Sequence, residues 1–182
     1  MTRPAAFLDR DGVINLDHGY VYRWEDFVFV PGAIDAMRRL QAAGYALVVV
    51  TNQSGIARGI YTEDDFLALD RRMREHLEQE GVEVSRVEYC PHLEGAKVSR
   101  YDLQCDCRKP APGMILRAAQ ALDIDLVRSV LFGDKPSDID AAGRAGVGRA
   151  VLLAADGHRA VDAKVAPEFA SLSEAVDALL GA

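Results

Sequence analysis

Residues 45–50 read Tyr-Ala-Leu-Val-Val-Val, six apolar positions with no polar break. A strand with one face in water alternates apolar and polar residues. An unbroken run belongs to a strand covered on both faces, as in parallel sheets sandwiched by helices. The neighbouring segments agree. Across 33–43, Ile34, Met37 and Leu40 fall along one side of a helix, and Gly44 stops it. Thr62 is placed as an N-cap, with Glu63, Asp64 and Asp65 in the first turn. Phe66, Leu69, Met73 and Leu77 then mark the apolar face of a helix ending near Gly81. Further strands are predicted at 4–8, 86–90, 129–133 and 150–153, and helices at 113–122, 137–145 and 173–180. Repeated strand–helix units predict an α/β fold, Rossmann-like, with a central parallel sheet flanked by helices. A chain of 182 residues suits one domain over 1–182. One stretch breaks the pattern: residues 91–112 are polar, aperiodic and carry three prolines.

Several classes of function are disfavoured. No stretch approaches the roughly 20 apolar residues of a membrane span. Met1-Thr2-Arg3-Pro4 leads straight into a strand without a leader pattern, so a cytoplasmic protein with no membrane partner is expected. A net charge of −7 argues against a nucleic-acid partner, which needs a basic face. Locally the balance differs, because Arg10, Arg58, Arg108, Lys109 and Lys135 all fall beside polar motifs. A small anionic substrate is therefore expected. With the sheet covered by helices, no long apolar face remains, and a monomer is expected. His76, on a charged helix, is expected to be solvated, His158 lies in a late polar loop, and Trp24 is expected to pack the 15–32 loop.

Sheets of this kind bind ligands at the carboxyl ends of their strands. The chemically suggestive residues lie there. Asp9-Arg10-Asp11-Gly12 ends the first strand with two carboxylates and a bend, a nucleophile and an acid–base group in prospect. Thr51-Asn52-Gln53-Ser54-Gly55 follows the most apolar strand, with a hydroxyl and backbone N–H groups suited to phosphate oxygens. Arg108-Lys109-Pro110 offers cationic donors for an anion. Gly133-Asp134-Lys135-Pro136-Ser137-Asp138 puts two more carboxylates at a strand end. Singly, each also reads as a turn, a surface pair or a helix cap; the case rests on their joint occurrence.

All three cysteines fall in the aperiodic stretch, as Cys90-Pro91-His92 and Cys105-Asp106-Cys107. Three thiolates and an imidazole make a closed tetrahedral Zn²⁺ set with no open position, hence a structural site stapling the loop 90–107. The C-x-H and C-x-C spacings are tighter than in common finger motifs, and three unrelated cysteines with a loop histidine is the alternative. A disulfide does not suit a reducing compartment.

Jointly these motifs resemble the haloacid dehalogenase (HAD) superfamily of phosphatases, in order and over nearly the whole chain. The resemblance implies Asp9 as nucleophile and Asp11 as acid–base. It implies Thr51 and Lys109 on the transferring phosphoryl group, and Mg²⁺ on Asp9, the Asp11 main-chain carbonyl and Asp134. Asp138 would support the metal shell or orient Lys135. Phe7–Gly12, Asp17–Val21, Thr51–Gly59, the cysteine–histidine loop and Cys107–Pro110 narrow the resemblance to the histidinol-phosphatase subgroup, and within it to phosphatases of heptose bisphosphates. That subgroup has no large cap domain, in keeping with the short 15–32 segment. Substrate contacts implied for it fall on Asp17, His18, Gly19, Tyr20, Asn52, Gln53, Ser54, Arg108 and Lys135. Pro136-Ser137 departs modestly from the family pattern, which touches the helix start more than the chemistry. Histidinol phosphate is the rival substrate. A nucleic-acid 3′-phosphatase and a non-catalytic zinc-stabilised binding protein are more distant rivals.

Overall fold

The computed structural model describes residues 2–154 and 166–181, so His158 lies outside the described residues. The sheet is built around β1 (Ala5–Leu8), whose four residues are all buried. It runs parallel to β2 (Ala46–Asn52) on one side and to β4 (Val130–Gly133) on the other. β3 (Val84–Cys90) extends the sheet beyond β2. β5 (Arg149–Leu153) and β6 (Glu168–Phe169) extend it beyond β4, all in parallel, giving the order β3-β2-β1-β4-β5-β6. The chain therefore leaves β1 to build one half of the sheet, then returns to its other side to build the second half. Such a switch point opens a crevice above the carboxyl ends of the central strands.

The alternation of side chains along β1 divides the core. Ala6 and Leu8 pack with Met37 and Leu40 of α1 (Ala33–Ala42), Leu69, Met73 and Leu77 of α3 (Glu63–Gln79), and Val176 of α6 (Leu172–Leu180). Ala5 and Phe7 face the other side, onto Met114, Ile115 and Ala118 of α4 (Gly113–Leu122) and Ala141 and Ala142 of α5 (Pro136–Ala145). Burial on both faces is what the apolar run 45–50 required, and Val48, Val49 and Val50 are fully buried. Thr62 caps α3 as predicted, in a capping box with Asp65.

The predicted elements are present with ends shifted by one or two residues. Thr51 and Asn52 lie within β2 rather than after it. Besides two 3₁₀ turns, at Trp24–Asp26 and Ser99–Tyr101, the sequence does not show the single turn α2 (Ser54–Ala57) or the two-residue β6, all too short to carry a period. Between β1 and α1 the chain makes only a 3₁₀ turn at Trp24–Asp26 and isolated bridges, with no inserted domain. Trp24 does pack that segment, stacked on Phe27 at 5.6 Å. His76 is not solvated as expected. It stacks on Phe29 at 5.1 Å and is half-buried, because the aromatic side of this segment leans onto α3. No described helix is long and apolar enough to cross a membrane.

Candidate active site

Asp9 follows β1 directly and is buried; its N–H donates to the Phe132 carbonyl of β4. Its Oδ1 accepts from the Arg10 N–H at 2.9 Å and lies 3.0 Å from Lys109 Nζ. Lys109 comes from the loop after the cysteine cluster, and its ammonium is equally buried. Nζ also contacts Asp138 Oδ1 at 2.6 Å and donates to the Val50 carbonyl at 2.7 Å. The three ammonium hydrogens thus have three acceptors. Asn52 fixes the lysine from behind: its Oδ1 accepts from Lys109 N at 3.0 Å and its Nδ2 donates to Lys109 O at 3.1 Å.

Asp138 sits in the first turn of α5 and uses its second oxygen to accept from Lys135 N at 3.0 Å. Gly133 makes room for it, since a Cβ at that position would collide with the Asp138 side chain. Asp134, at the end of β4, completes a group in which Asp9, Asp134 and Asp138 each bring an oxygen within 4.8 Å of the others. Gly12, at φ +85°, turns the chain where a Cβ would strike the Asp134 carboxylate. This brings the Asp11–Gly12 backbone against Asp134.

Two carboxylates, Asp9 and Asp138, share one buried ammonium with Asp134 close by, and the electrostatics reflect it. Burial pushes the Asp9 carboxyl up to about 8; Lys109 opposes this, while Asp138, Asp134 and Asp11 add to the rise. Burial likewise raises Asp134, against the pull of Lys135. Burial works against the charge on Lys109, but Asp9 and Asp138 outweigh it and raise its pKa, so the ammonium stays charged. Asp134 Oδ1 is buried without a hydrogen-bond partner. Surplus negative charge and an unpaired carboxylate oxygen suit a hard divalent cation. Asp138, with both oxygens occupied, suits a supporting role instead.

Asp11 lies outside that group. Its carboxylate accepts from Arg10 Nη2 at 2.9 and 3.1 Å, from Asn15 Nδ2 at 3.0 Å and from Gln53 Nε2 at 3.2 Å. The buried Gln53 amide also donates to Thr51 Oγ1 at 2.8 Å and accepts from Tyr61 OH. Burial raises the Tyr61 phenol, which keeps it a donor. The amides of Asn52 and Gln53, implied as substrate contacts, thus also brace Lys109, Asp11 and Thr51. Arg10, expected to help line a cationic pocket, is 2% exposed and points into the protein. Asn15 and Tyr61 were not anticipated; neither stands at a regular spacing from the groups it supports.

The rim is polar. Asp17, His18, Gly19 and Tyr20 are exposed, and Asp17 Oδ1 accepts from Gly19 N at 2.9 Å. Lys135, 56% exposed, reaches toward Asp17 at 3.8 Å and Asp134 at 3.9 Å. Ser54 opens α2 and is half-buried. Arg108 lines a cavity of ≈ 350 Å³ together with Glu94, Gln104 and Arg144.

Beyond β3 the cysteine cluster is assembled. Sγ of Cys90 lies 2.8 Å from that of Cys107 and 3.6 Å from that of Cys105, and His92 Nδ1 lies 3.3 Å from Cys107 Sγ. All three cysteines are free thiols. Four ligand atoms so close, on a soft donor set, suit tetrahedral Zn²⁺, whose ligand atoms stand about 3.8 Å apart at Zn–S distances of about 2.3 Å. Tyr101 within the loop and Tyr89 on β3 both donate to Glu63 at the start of α3, at 2.7 and 2.6 Å.

Comparison with known proteins agrees with this geometry. The HAD-hydrolase-like family profile matches residues 106–176. The D-glycero-beta-D-manno-heptose-1,7-bisphosphate 7-phosphatase of Photorhabdus laumondii is 52% identical over 150 residues, 82% of this chain and 80% of that one. Its namesake from Yersinia pestis is 45% identical over 181 residues, 96% of each chain. The D,D-heptose 1,7-bisphosphate phosphatase of B. bronchiseptica, solved with magnesium and phosphate, is 31% identical with a TM-score of 0.82, covering 98% of both chains. The chain belongs to the HAD-like phosphatases, in the family of the heptose-1,7-bisphosphate 7-phosphatases.

Proposed function

We propose that the protein is a Mg²⁺-dependent phosphatase that removes the 7-phosphate of D-glycero-β-D-manno-heptose 1,7-bisphosphate through a phosphoaspartate on Asp9. It acts as a monomeric single domain over residues 1–182, in the cytoplasm. The observation that carries this reading is the Lys109 ammonium between Asp9 and Asp138, at 3.0 and 2.6 Å, beside the unpaired oxygen of Asp134. The names of the relatives supply the substrate, and the magnesium of the B. bronchiseptica enzyme supports the cation.

With Oδ1 pinned by Lys109 and the Arg10 N–H, Asp9 attacks phosphorus through Oδ2. The bond from phosphorus to the sugar oxygen breaks, and Asp11 gives that oxygen a proton. A water then attacks the phosphoaspartate, returns a proton to Asp11, and phosphate leaves as the bond to Asp9 breaks. Thr51 accepts from Gln53, so its own hydroxyl hydrogen is available to a phosphoryl oxygen. Lys109 exchanges one of its three acceptors for another such oxygen. Asp9, Asp134 and the Asp11 carbonyl would hold Mg²⁺, which when bound supplies charge neutralisation to the phosphoryl group. Cys90, His92, Cys105 and Cys107 would hold a structural Zn²⁺, which when bound would fix the loop carrying Arg108 and Lys109.

Asp17, His18, Gly19, Tyr20 and Ser54 line the sugar, Lys135 faces the phosphate, and Arg108 takes the second phosphate as a bidentate fork. The product, a heptose 1-phosphate, suits attachment to a nucleotide, the route to activated heptose for lipopolysaccharide. Histidinol phosphate would want an unpaired carboxylate for its ammonium, whereas Asp17 already faces Lys135. Phosphate release with Mg²⁺ separates the readings. Heptose bisphosphate should be turned over at least about tenfold faster than histidinol phosphate, and 3′-phosphorylated DNA not at all. Faster release from histidinol phosphate would replace the substrate, and undiminished release by Asp9→Asn would end the phosphoaspartate mechanism.

A further inference from the structure

Arg10 is fully buried beside the reacting groups but is turned away from the substrate side. Its guanidinium lies between two rings, 6.0 Å from the centroid of Phe27 and 5.8 Å from that of Phe66. Nε and Nη1 have no hydrogen-bond partner. Only Nη2 is engaged, and it serves both oxygens of Asp11 and the Val21 carbonyl, at 2.7 Å. Burying a guanidinium with two nitrogens unpaired is costly, and the rings repay only part of it. A hydrophobic side chain of similar size would fill the space at least as stably. The placement makes sense for what Nη2 joins: the acid–base carboxylate and the backbone where the 15–32 loop returns to the core.

We propose that Arg10 is a positioning residue that ties Asp11 to the Val21 carbonyl, so that the proton donor keeps one geometry. The inference rests on Asp11 acting as the acid–base group of the proposed reaction. Arg10 touches no reacting atom, and its effect passes through Asp11.

The test exploits the leaving group. Arg10→Met retains bulk between Phe27 and Phe66 but cannot hold Asp11. With heptose bisphosphate, whose sugar oxygen needs a proton to leave, kcat/KM, which spans the steps up to departure of that oxygen and not the later hydrolysis of the phosphoaspartate, should fall roughly 10- to 100-fold. With p-nitrophenyl phosphate, whose leaving group departs without a proton, the loss should stay below about threefold. Arg10→Lys, a point charge without the planar fork, should recover part of the first loss. In an Asp11→Asn background, Arg10→Met should cost nothing more. Equal losses on both substrates would assign Arg10 to folding alone and overturn the inference, as would no loss on either. If Arg10→Met does not fold, Arg10→Lys carries the same comparison of the two substrates. Wild-type turnover that Asp9→Asn abolishes is the control. Its failure sinks the catalytic reading itself, whereas its success beside an indifferent Arg10→Met sinks only this inference.

Discussion

The carboxylate–lysine group above β1 and β4 and the cysteine–histidine group beyond β3 are both tight gatherings of ligand atoms, built in opposite ways. Asp9, Lys109 and the Asp134–Asp138 pair come from three distant segments and meet because strand ends and a helix N-terminus deliver them. Cys90, His92, Cys105 and Cys107 come from one short excursion at the edge of the sheet. The first group carries opposed charges in mutual contact and remains assembled by the sheet. The second has four donors and no internal counter-charge, so its geometry depends on what it binds. A site held by the fold can tolerate electrostatic strain and use it for chemistry; a site held by its ligand cannot.

The largest expected effect tests the first half of that contrast. Lys109→Met removes the ammonium between two buried carboxylates. Phosphate release should fall by on the order of 10³ or more, and stability by about 3–5 kcal/mol as Asp9 and Asp138 lose their partner. Zinc measured by atomic absorption should remain near one equivalent. Loss of zinc together with activity would mean that the two clusters are one unit, and the contrast would fail.

Cys107→Ser is the converse and a smaller effect on turnover. Zinc should fall to well below one equivalent, and the thermal midpoint should drop because metal binding and loop folding are linked. Since Lys109 follows two residues later and is still seated by Asn52 and the Val50 carbonyl, kcat should fall only about tenfold. A zinc-free variant with an unchanged melting curve would show that the loop folds without its ligand.

The same contrast explains what was legible in the sequence. The cysteine cluster could be read because every cysteine of the chain falls in one aperiodic stretch. The strand-end residues Asp9, Thr51 and Asp134 could be read because an apolar run stops at each of them, and run length is a local property. What could not be read was direction. Nothing in Asp9-Arg10-Asp11-Gly12 says that Arg10 turns inward between Phe27 and Phe66, because those rings lie 17 and 56 residues away along the chain and meet only in the fold. The resemblance implies Asn52 and Gln53 as substrate contacts, and says nothing of the hydrogen bonds their amides also make to Lys109 and Asp11 across the site. Side-chain partners at long sequence separation leave no periodic trace.

The smallest expected effect concerns how the excursion is fastened to the body of the protein. Glu63 accepts from Tyr89 and Tyr101 at once, tying β3 and the loop to the start of α3. The Tyr89 hydrogen bond, chiefly, holds the Glu63 carboxyl below its ordinary value of 4.5; burial opposes it, and Tyr101 and Arg100 add to the lowering. A carboxyl lowered in the folded state contributes stability above its unfolded pKa, and that contribution disappears as pH falls through the folded pKa. Glu63→Gln should therefore cost most near neutrality and progressively less below about pH 4.5. The carboxylate is largely solvent-screened, so the neutral-pH loss should be about 1 kcal/mol or less. Urea unfolding of both proteins at neutral and acidic pH reads the difference, and comparing them at each pH cancels the acid lability of the thiolates common to both. A difference that grew on acidification would mean that the two tyrosine hydrogen bonds do not favour the ionised carboxylate, and that the loop is fastened by the cysteine cluster and the packing of Tyr101 alone.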